Sequence, residues 1–300
     1  MKTNVLIYGA TGSQASPVVY ALLNKGYEAF AVTHTPQKSE PLKEAGATIV
    51  IADMANRERI FEISQGMDAV SLLIPFFIAN PLDGLEYAKN AIDGAKLAGV
   101  KLIVWNTSGF ILPFRTGNPA IDVRLDIADY LRSSGVPYII IQPSAYAENL
   151  LGPWNAPFVA QKNQAAYPTP EEMPIGWIAT QDVASLIVAA IERPELAGSE
   201  FMVSGLENLN GPALAQRFSE ALERPIDFYA MPPSEFGQIL DNVFGPGAGK
   251  GAAGFYQQLH DTQQFPPMFV EMKPVLEKLP VRITPLKEWI VQHKTAFQNS

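Results

Sequence analysis

Short apolar runs recur through the first half of the chain at residues 5–8, 28–33, 48–52, 69–74, 101–106 and 138–141. Between them lie stretches with helical periodicity at 13–25, 38–45, 57–65, 81–98 and 119–134. Each run is nearly continuous in Val, Ile, Leu and Ala, the pattern of strands buried on both faces of a parallel sheet. Strand–helix alternation of this kind requires crossover connections, which predicts a doubly wound α/β sheet with strand order 3-2-1-4-5-6. Gly26, Gly46, Gly66, Gly99 and Gly135 follow the helical stretches, where a helix is ended by a residue that tolerates positive φ.

The character changes after Pro143. Residues 144–178 are rich in Pro, Asn and aromatic residues and are expected to be loops with little regular structure. A helix is expected over 180–193, a strand over 200–204, and helices over 212–222 and 284–297, with further helical pattern between 232 and 279. The expected organisation is a Rossmann-like, mostly parallel doubly wound domain over residues 1–150. A smaller α/β C-terminal substrate or partner region follows over 151–300, partly interleaved with the first. The glycine-rich residues 245–251 do not make a nucleotide phosphate loop. Phe244 stands where the first glycine is needed, and Gly251 where a Ser or Thr would hold magnesium. A mobile surface loop, able to act as a lid, is expected there.

Composition narrows the function classes. The 300 residues are 47% hydrophobic but only 17% charged, and the net charge is −8 with no clustered Lys and Arg, which argues against nucleic acid as partner. With no cysteine, thiolate catalysis, thiolate metal sites and disulfides are excluded. His34, His260 and His293 are scattered without ligand spacing, so no metal site is expected. The chain enters its first strand without the long apolar region of a signal peptide, and no apolar run reaches membrane-spanning length. A cytoplasmic protein with no membrane partner is expected.

The first strand breaks into Tyr8-Gly9-Ala10-Thr11-Gly12-Ser13-Gln14-Ala15 before a helix. Gly9 permits a sharp turn, Gly12 lets the backbone approach an anion, and Ala15 allows close helix–strand packing. The spacing is a variant of the dinucleotide fingerprint, although an ordinary glycine turn also fits it. In such sheets ligands bind outside the carboxyl ends of the strands. The second strand ends at Thr33-His34-Thr35-Pro36 with no Asp or Glu for a ribose diol. Thr33, His34 and Lys38 are instead able to donate to a 2′-phosphate, so NADP is favoured and NAD remains possible. His34 and Lys38 are equally readable as solvated loop residues. The third strand ends at Asp53-Met54, where the carboxylate meets an adenine amino group or caps the next helix. Leu73, Ile74 and Pro75, followed by Phe76 and Phe77, end the fourth strand. The fifth ends at Asn106-Thr107-Ser108-Gly109, and the sixth runs into Pro143, Tyr146, Glu148 and Asn149.

Taken together, the Gly-Ala-Thr-Gly-x-x-Ala turn, Gly66-Met67-Asp68-Ala69-Val70, Gly99-Val100-Lys101, Asn106-Thr107-Ser108-Gly109 and Pro143-x-x-Tyr146-x-Glu148-Asn149 resemble NmrA-like proteins. These are atypical members of the short-chain dehydrogenase/reductase superfamily. Thr180-Gln181-Asp182-Val183-Ala184, Leu209-Asn210-Gly211-Pro212 and Arg224-Pro225-Ile226 are similar to that family's second half. The resemblance implies a pyrophosphate loop of Gly9, Thr11, Gly12, Ser13, Gln14 and Ala15. It also implies a cofactor-flanking loop of Leu73, Ile74 and Pro75, a nicotinamide side of Asn106 and Thr107, and a covering segment from Pro143 to Asn149. His34 falls where many NADP-binding members have Arg. The Tyr-x-x-x-Lys of standard short-chain dehydrogenases is absent, and many NmrA-like proteins also lack the Tyr while retaining a Lys: thirteen residues after Thr107 stands Ala120, and four further on Arg124. Arg can hold a ribose or phosphate, but it carries protons poorly.

Two functions follow from the resemblance. One is an NADPH-dependent reductase of quinone- or enone-like small molecules, with Ser108, Arg124 or Tyr146 orienting or protonating the substrate. Phe76, Phe110, Tyr146, Trp154, Tyr167 and Trp177 would then form apolar walls or simply pack the core. The other is a non-catalytic NADP(H)-binding redox sensor acting through a protein partner. A homo-oligomer is compatible with either.

Overall fold

The computed structural model describes residues 3–75, 80 and 82–298. In chain order its elements are β1 (Asn4–Ile7), α1 (Ser16–Asn24), β2 (Glu28–Thr33), α2 (Glu40–Glu44), β3 (Thr48–Ile51), α3 (Arg57–Ser64), β4 (Ala69–Leu73), α4 (Asp83–Leu97), β5 (Leu102–Asn106), α5 (Pro119–Ser134) and β6 (Tyr138–Pro143). There follow β7 (Ala145–Tyr146), α6 (Ala156–Lys162), β8 (Gln164–Tyr167), β9 (Trp177–Ile178), α7 (Thr180–Ile191), β10 (Glu200–Val203) and α8 (Gly211–Leu222). The chain ends with β11 (Asp227–Ala230), α9 (Pro233–Phe244), α10 (Lys250–Thr262), α11 (Lys273–Lys278) and α12 (Leu286–Gln292). It divides into two compact units. The first comprises Met1–Pro143, Thr180–Val203 and Lys273–Arg282, and the second Ser144–Ala179, Ser204–Met272 and Ile283–Ser300.

Among the described residues, the first unit holds a seven-stranded sheet of order β10-β6-β5-β4-β1-β2-β3, with every pairing parallel. The predicted order 3-2-1-4-5-6 stands, with β10 added beyond β6. Val5, Leu6 and Ile7 are fully buried, as the apolar-run argument requires of a strand covered on both faces. The helix 180–193 reads as one-sided in sequence, yet α7 buries Ala184, Val188 and Ala189 besides Val183, Leu186, Ile187 and Ala190, because α1, β5 and β6 all pack against it.

Two boundaries in this unit differ from expectation. The first helix begins at Ser16 rather than residue 13, because Pro17 suits a first helical turn and the preceding residues form a separate turn. The cap of α3 is Asn56, whose Oδ1 accepts from the Arg59 amide at 3.0 Å, so Asp53 does not play that part.

The second unit contains, among the described residues, two parallel two-stranded ribbons, β8–β11 and β7–β9, packed with α6, α8, α9, α10 and α12. The expected irregularity of 144–178 is corrected here, since β7, α6, β8 and β9 all fall in that stretch. The residues that suggested loops serve as joints between short elements. Pro157 sits in the first turn of α6, and Asn163 closes that helix in the left-handed region at φ 55°. Buried Asn155 donates to the Leu150 carbonyl at 2.6 Å and accepts from the Ala166 amide at 2.8 Å. The glycine-rich stretch lies mostly at the surface and leads into a helix. Residues 245–249 form a tight corner, the Gly249 amide donates to Asp241 Oδ1 at 2.7 Å, and α10 takes up Lys250 and Gly251. A Cβ on Gly249 would fall 2.0 Å from the Gly237 carbonyl oxygen, so this corner needs glycine for lack of room. Among the described residues, no helix is long and apolar enough to cross a membrane.

Candidate functional site

In the first unit β1 lies between β2 and β4, so the loops at the carboxyl ends of β1, β2, β4 and β5 are neighbours at one edge of the sheet. Chain direction diverges there, which is where α/β sheets hold ligands. Tyr8 continues β1 by donating to the Ser71 carbonyl at 3.0 Å, and Ala10 donates to the Val32 carbonyl at 3.1 Å. Gly9 between them has φ +68°, a conformation that costs glycine little and other residues about 1–2 kcal/mol. The chain then closes on itself. The Gly12 amide reaches the Gly9 carbonyl at 2.9 Å, and the Ser16 amide reaches the Gly12 carbonyl at 2.9 Å. A Cβ on Gly12 would sit 3.2 Å from the Gly9 oxygen.

The exposed part of this turn fits an anion. Among the described residues, the amides of Thr11, Ser13 and Gln14 donate to no protein acceptor. Gly9, Gly12 and Ser13 are exposed, whereas Ala15 is buried beneath them. Unpaired N–H groups at the start of a helix are the backbone's means of holding a phosphate. Leu73, at the end of β4, packs its side chain over Gly9, the nearest atom being 3.4 Å from where a Cβ would stand.

Beside the turn, Thr33 is buried and its hydroxyl is engaged, lying 3.2 Å from the Thr11 hydroxyl and accepting from the Thr35 amide at 2.9 Å. His34 and Lys38 are exposed on the following turn. Asp53 is exposed and accepts from the Ala55 amide at 2.9 Å, and half-buried Met54 has its carbonyl bound by Asn90 Nδ2 at 2.9 Å. Ile74 is buried and Pro75 exposed, and Phe76 lies outside the described residues.

The chain after β5 is the most constrained part of this edge. Asn106 and Thr107 are buried, and the Thr107 hydroxyl donates to the Gly109 carbonyl at 2.5 Å. Asn106 Oδ1 accepts from the Ser108 amide at 2.9 Å, holding Ser108 at φ 55°. A non-glycine residue in that conformation is strained, and such strain gathers at functional sites. From α5, Arg124 donates through Nε to the Thr107 carbonyl at 2.9 Å. Ala120 belongs to the first turn of the same helix. Gln14 crosses from the first turn to this one, donating through Nε2 to Ser108 Oγ at 2.8 Å.

From sequence, Gln14 belongs to the pyrophosphate loop with no link to Ser108, and Gln142, in β6, is missed as a site residue altogether. Gln142 Oε1 accepts from the Ile111 amide at 3.0 Å and so ties the chain leaving Gly109 to the sheet. The signal available was a polar residue inside a buried apolar strand.

Pro143 ends β6 beside Val203. Tyr146 and Asn149 belong to the second unit: Tyr146 is buried in β7 opposite Ile178, and Asn149 stands in the short helical turn after it. The aromatic residues read as possible walls join a chain of edge-to-face rings there, running Trp154–Phe236–Tyr256–Tyr167–Trp177. Burial pushes the Tyr167 and Tyr256 hydroxyls above the usual phenol range, so both stay protonated. Phe110 is half-buried in the first unit.

Comparison with known proteins agrees with this architecture. The chain is 28% identical over 212 residues to the photosystem II assembly factor Ycf39 of Synechocystis sp., covering 67% of this chain but only 62% of that protein's length. It is 25% identical over 251 residues to an NAD(P)H azoreductase of Xenophilus azovorans, covering 81% and 82% of the two chains. In fold it is similar to the crystal structure of the NADPH-dependent quinone oxidoreductase QOR2 of Escherichia coli complexed with NADPH. That likeness has a TM-score of 0.78 at 19% identity and covers 98% of this chain and 100% of the other. The model of the NmrA-like family matches residues 1–290, and the chain therefore belongs to the NmrA-like family.

Proposed function

We propose that this protein binds NADP(H) at the carboxyl ends of β1, β2, β4 and β5 and reduces a quinone- or enone-like small molecule. The observation that carries the reading is the turn at Gly9–Ala15, with three amides lacking an acceptor and a Gly12 position where a side chain would crowd Gly9. The backbone amides of Thr11, Ser13 and Gln14 would hold the pyrophosphate, and the His34 and Lys38 side chains a 2′-phosphate. Asp53, Met54, Leu73, Ile74 and Pro75 would flank the adenine and the middle of the cofactor. Asn106 and Thr107, with Pro143, would serve the nicotinamide side. When bound, the reduced cofactor supplies a hydride, and the acceptor completes its reduction with a proton from water.

The chain's own contribution is positioning. Acceptors of this class take hydride readily, so a fixed site supplies much of the rate without a Tyr-x-x-x-Lys pair. Ser108 has a hydroxyl able to donate to a substrate oxygen, and Arg124 fixes the turn that carries it. The NAD(P)H azoreductase and the quinone oxidoreductase support a reductase of planar, electron-poor molecules.

A second reading is a sensor that binds the cofactor without turnover and acts on a protein partner. Ala120 at the usual proton-donor position favours it. Titration with NADPH and NADH, followed by fluorescence, and then addition of 1,4-benzoquinone separates the two. The reductase reading expects NADPH to bind more tightly than NADH and its absorbance to fall on addition of the quinone. Tight binding with no oxidation above background leaves the sensor, and binding of neither cofactor removes both.

A further inference from the structure

Gln14 and Ser108 are 94 positions apart in sequence, and β4 lies between the strands that carry them, so the bond from Gln14 Nε2 to Ser108 Oγ bridges the end of β4. Two details distinguish it from ordinary packing. The Ser108 oxygen is the acceptor in this bond, and among the described residues no acceptor takes the hydroxyl hydrogen. The other end of the Gln14 amide is unsatisfied, since Oε1 is buried with no partner. An orphaned buried acceptor of this kind is destabilising, so stability alone does not account for a glutamine here. Ser108 itself is held from two further sides, by Asn106 on its amide and by Arg124 on the preceding carbonyl.

We propose that Gln14 is a positioning residue. Its amide commits the Ser108 oxygen as an acceptor and thereby fixes the Ser108 hydroxyl as a hydrogen-bond donor toward the substrate oxygen. The proposal rests on the reductase reading. In that reaction the quinone gains two electrons and one hydrogen as hydride, the cofactor is oxidised by the same two electrons, and the second hydrogen arrives as a proton from water. Ser108 donates a hydrogen bond to the oxygen that becomes negative and keeps its own proton, so no further acid or reductant is required.

The test compares Gln14→Met, which keeps length without an amide, with Ser108→Ala and the double variant. NADPH affinity is read by fluorescence, turnover with 1,4-benzoquinone by absorbance, and thermal midpoint on the protein without cofactor. Each single variant is expected to lower kcat about tenfold, and the double variant also about tenfold rather than a hundredfold, because the two side chains act as one unit. NADPH Kd is expected to stay within about threefold, and the Gln14→Met midpoint to hold or rise as the orphaned acceptor disappears. An unchanged kcat in Gln14→Met, or losses that multiply in the double variant, would overturn the role. A midpoint several degrees lower in Gln14→Met would make the residue a structural brace and also overturn it. A wild-type protein that oxidises no NADPH with the quinone removes the reductase reading and this role together, whereas wild-type turnover with an unaffected Gln14→Met removes the role alone.

Discussion

Arg124 Nε donates to the Thr107 carbonyl oxygen over 2.9 Å, so a guanidinium on α5 holds the backbone one residue before the strained Ser108. From sequence alone Arg124 is a group acting on substrate or cofactor, and the bond gives it a second task. Arg124→Ala removes a hydrogen bond from a charged donor and is expected to cost about 1–2 kcal/mol in urea unfolding at this half-buried site. It is also expected to lower kcat about tenfold, since a turn released by an ångström loses its orientation. Arg124→Lys keeps the charge but not the planar donor that reaches the carbonyl, so it is expected to behave like the alanine variant. A lysine variant with wild-type kcat and stability would show that charge, not the tie to Thr107, is what matters.

Gly12 tests the anion turn directly. A glutamate there places bulk against the Gly9 carbonyl, 3.2 Å from the new Cβ, and a negative charge beside the amides of Thr11, Ser13 and Gln14. Gly12→Glu is expected to weaken NADPH binding by about a hundredfold or more, from lost approach and like-charge repulsion together. Circular dichroism and thermal midpoint are expected to stay near wild type because residue 12 is exposed. Retained affinity would place the pyrophosphate elsewhere.

Asp68 marks the opposite, amino-terminal side of the sheet. It accepts from the Asn4 amide at 2.9 Å and from Lys101 Nζ at 2.7 Å, joining the starts of β1, β4 and β5. The bonds from Lys101 and Asn4 hold its carboxyl below the usual carboxylate range. A depressed folded-state pKa contributes stability that is present above the unfolded value, about 3.9, and lost as pH falls through the folded value. Wild type is therefore expected to lose an increment of stability between about pH 5 and pH 2 that Asp68→Asn lacks from the start, read from urea midpoints across that range. The increment is small because the pair is largely solvated. Turnover and cofactor affinity are expected to be unaffected, which makes this variant a control for the site.

The sheet was legible because its evidence is local and repeated: six apolar runs with glycines closing the helices between them allow few topologies. The glycine turn was legible for the same reason, since φ +68° at Gly9 is a demand that only certain residues meet easily. What stayed hidden depends on partners far away in sequence. Nothing near Gln14 announces Ser108, and nothing near Gln142 announces the Ile111 amide. The second unit misled for a different reason. Asn155, Pro157 and Asn163 have turn propensity, yet the fold uses it at the ends of a seven-residue helix and a four-residue strand, elements too short to show a periodicity. Their stability comes from buried neighbours such as Val159, Tyr167 and Trp177 rather than from local preference.

Cofactor choice turns on the end of β2. Thr33, His34 and Lys38 all stand there as potential donors, but the Thr33 hydroxyl is buried and committed to Thr11 and Thr35, which leaves the exposed His34 and Lys38 facing solvent. A 2′-phosphate carries close to two negative charges near neutral pH, so a lysine beside it gains much more from NADPH than from NADH. Lys38→Ala is expected to raise the NADPH Kd about three- to tenfold and leave the NADH Kd unchanged, with the NADPH effect shrinking as salt is raised. His34→Asp goes further: the carboxylate repels the phosphate and offers a ribose diol the acceptor it otherwise lacks. It is expected to raise the NADPH Kd by more than about tenfold while lowering that for NADH. Fluorescence titration of both cofactors against each variant decides the matter. An NADPH-to-NADH affinity ratio unmoved by either substitution would take the 2′-phosphate away from the end of β2.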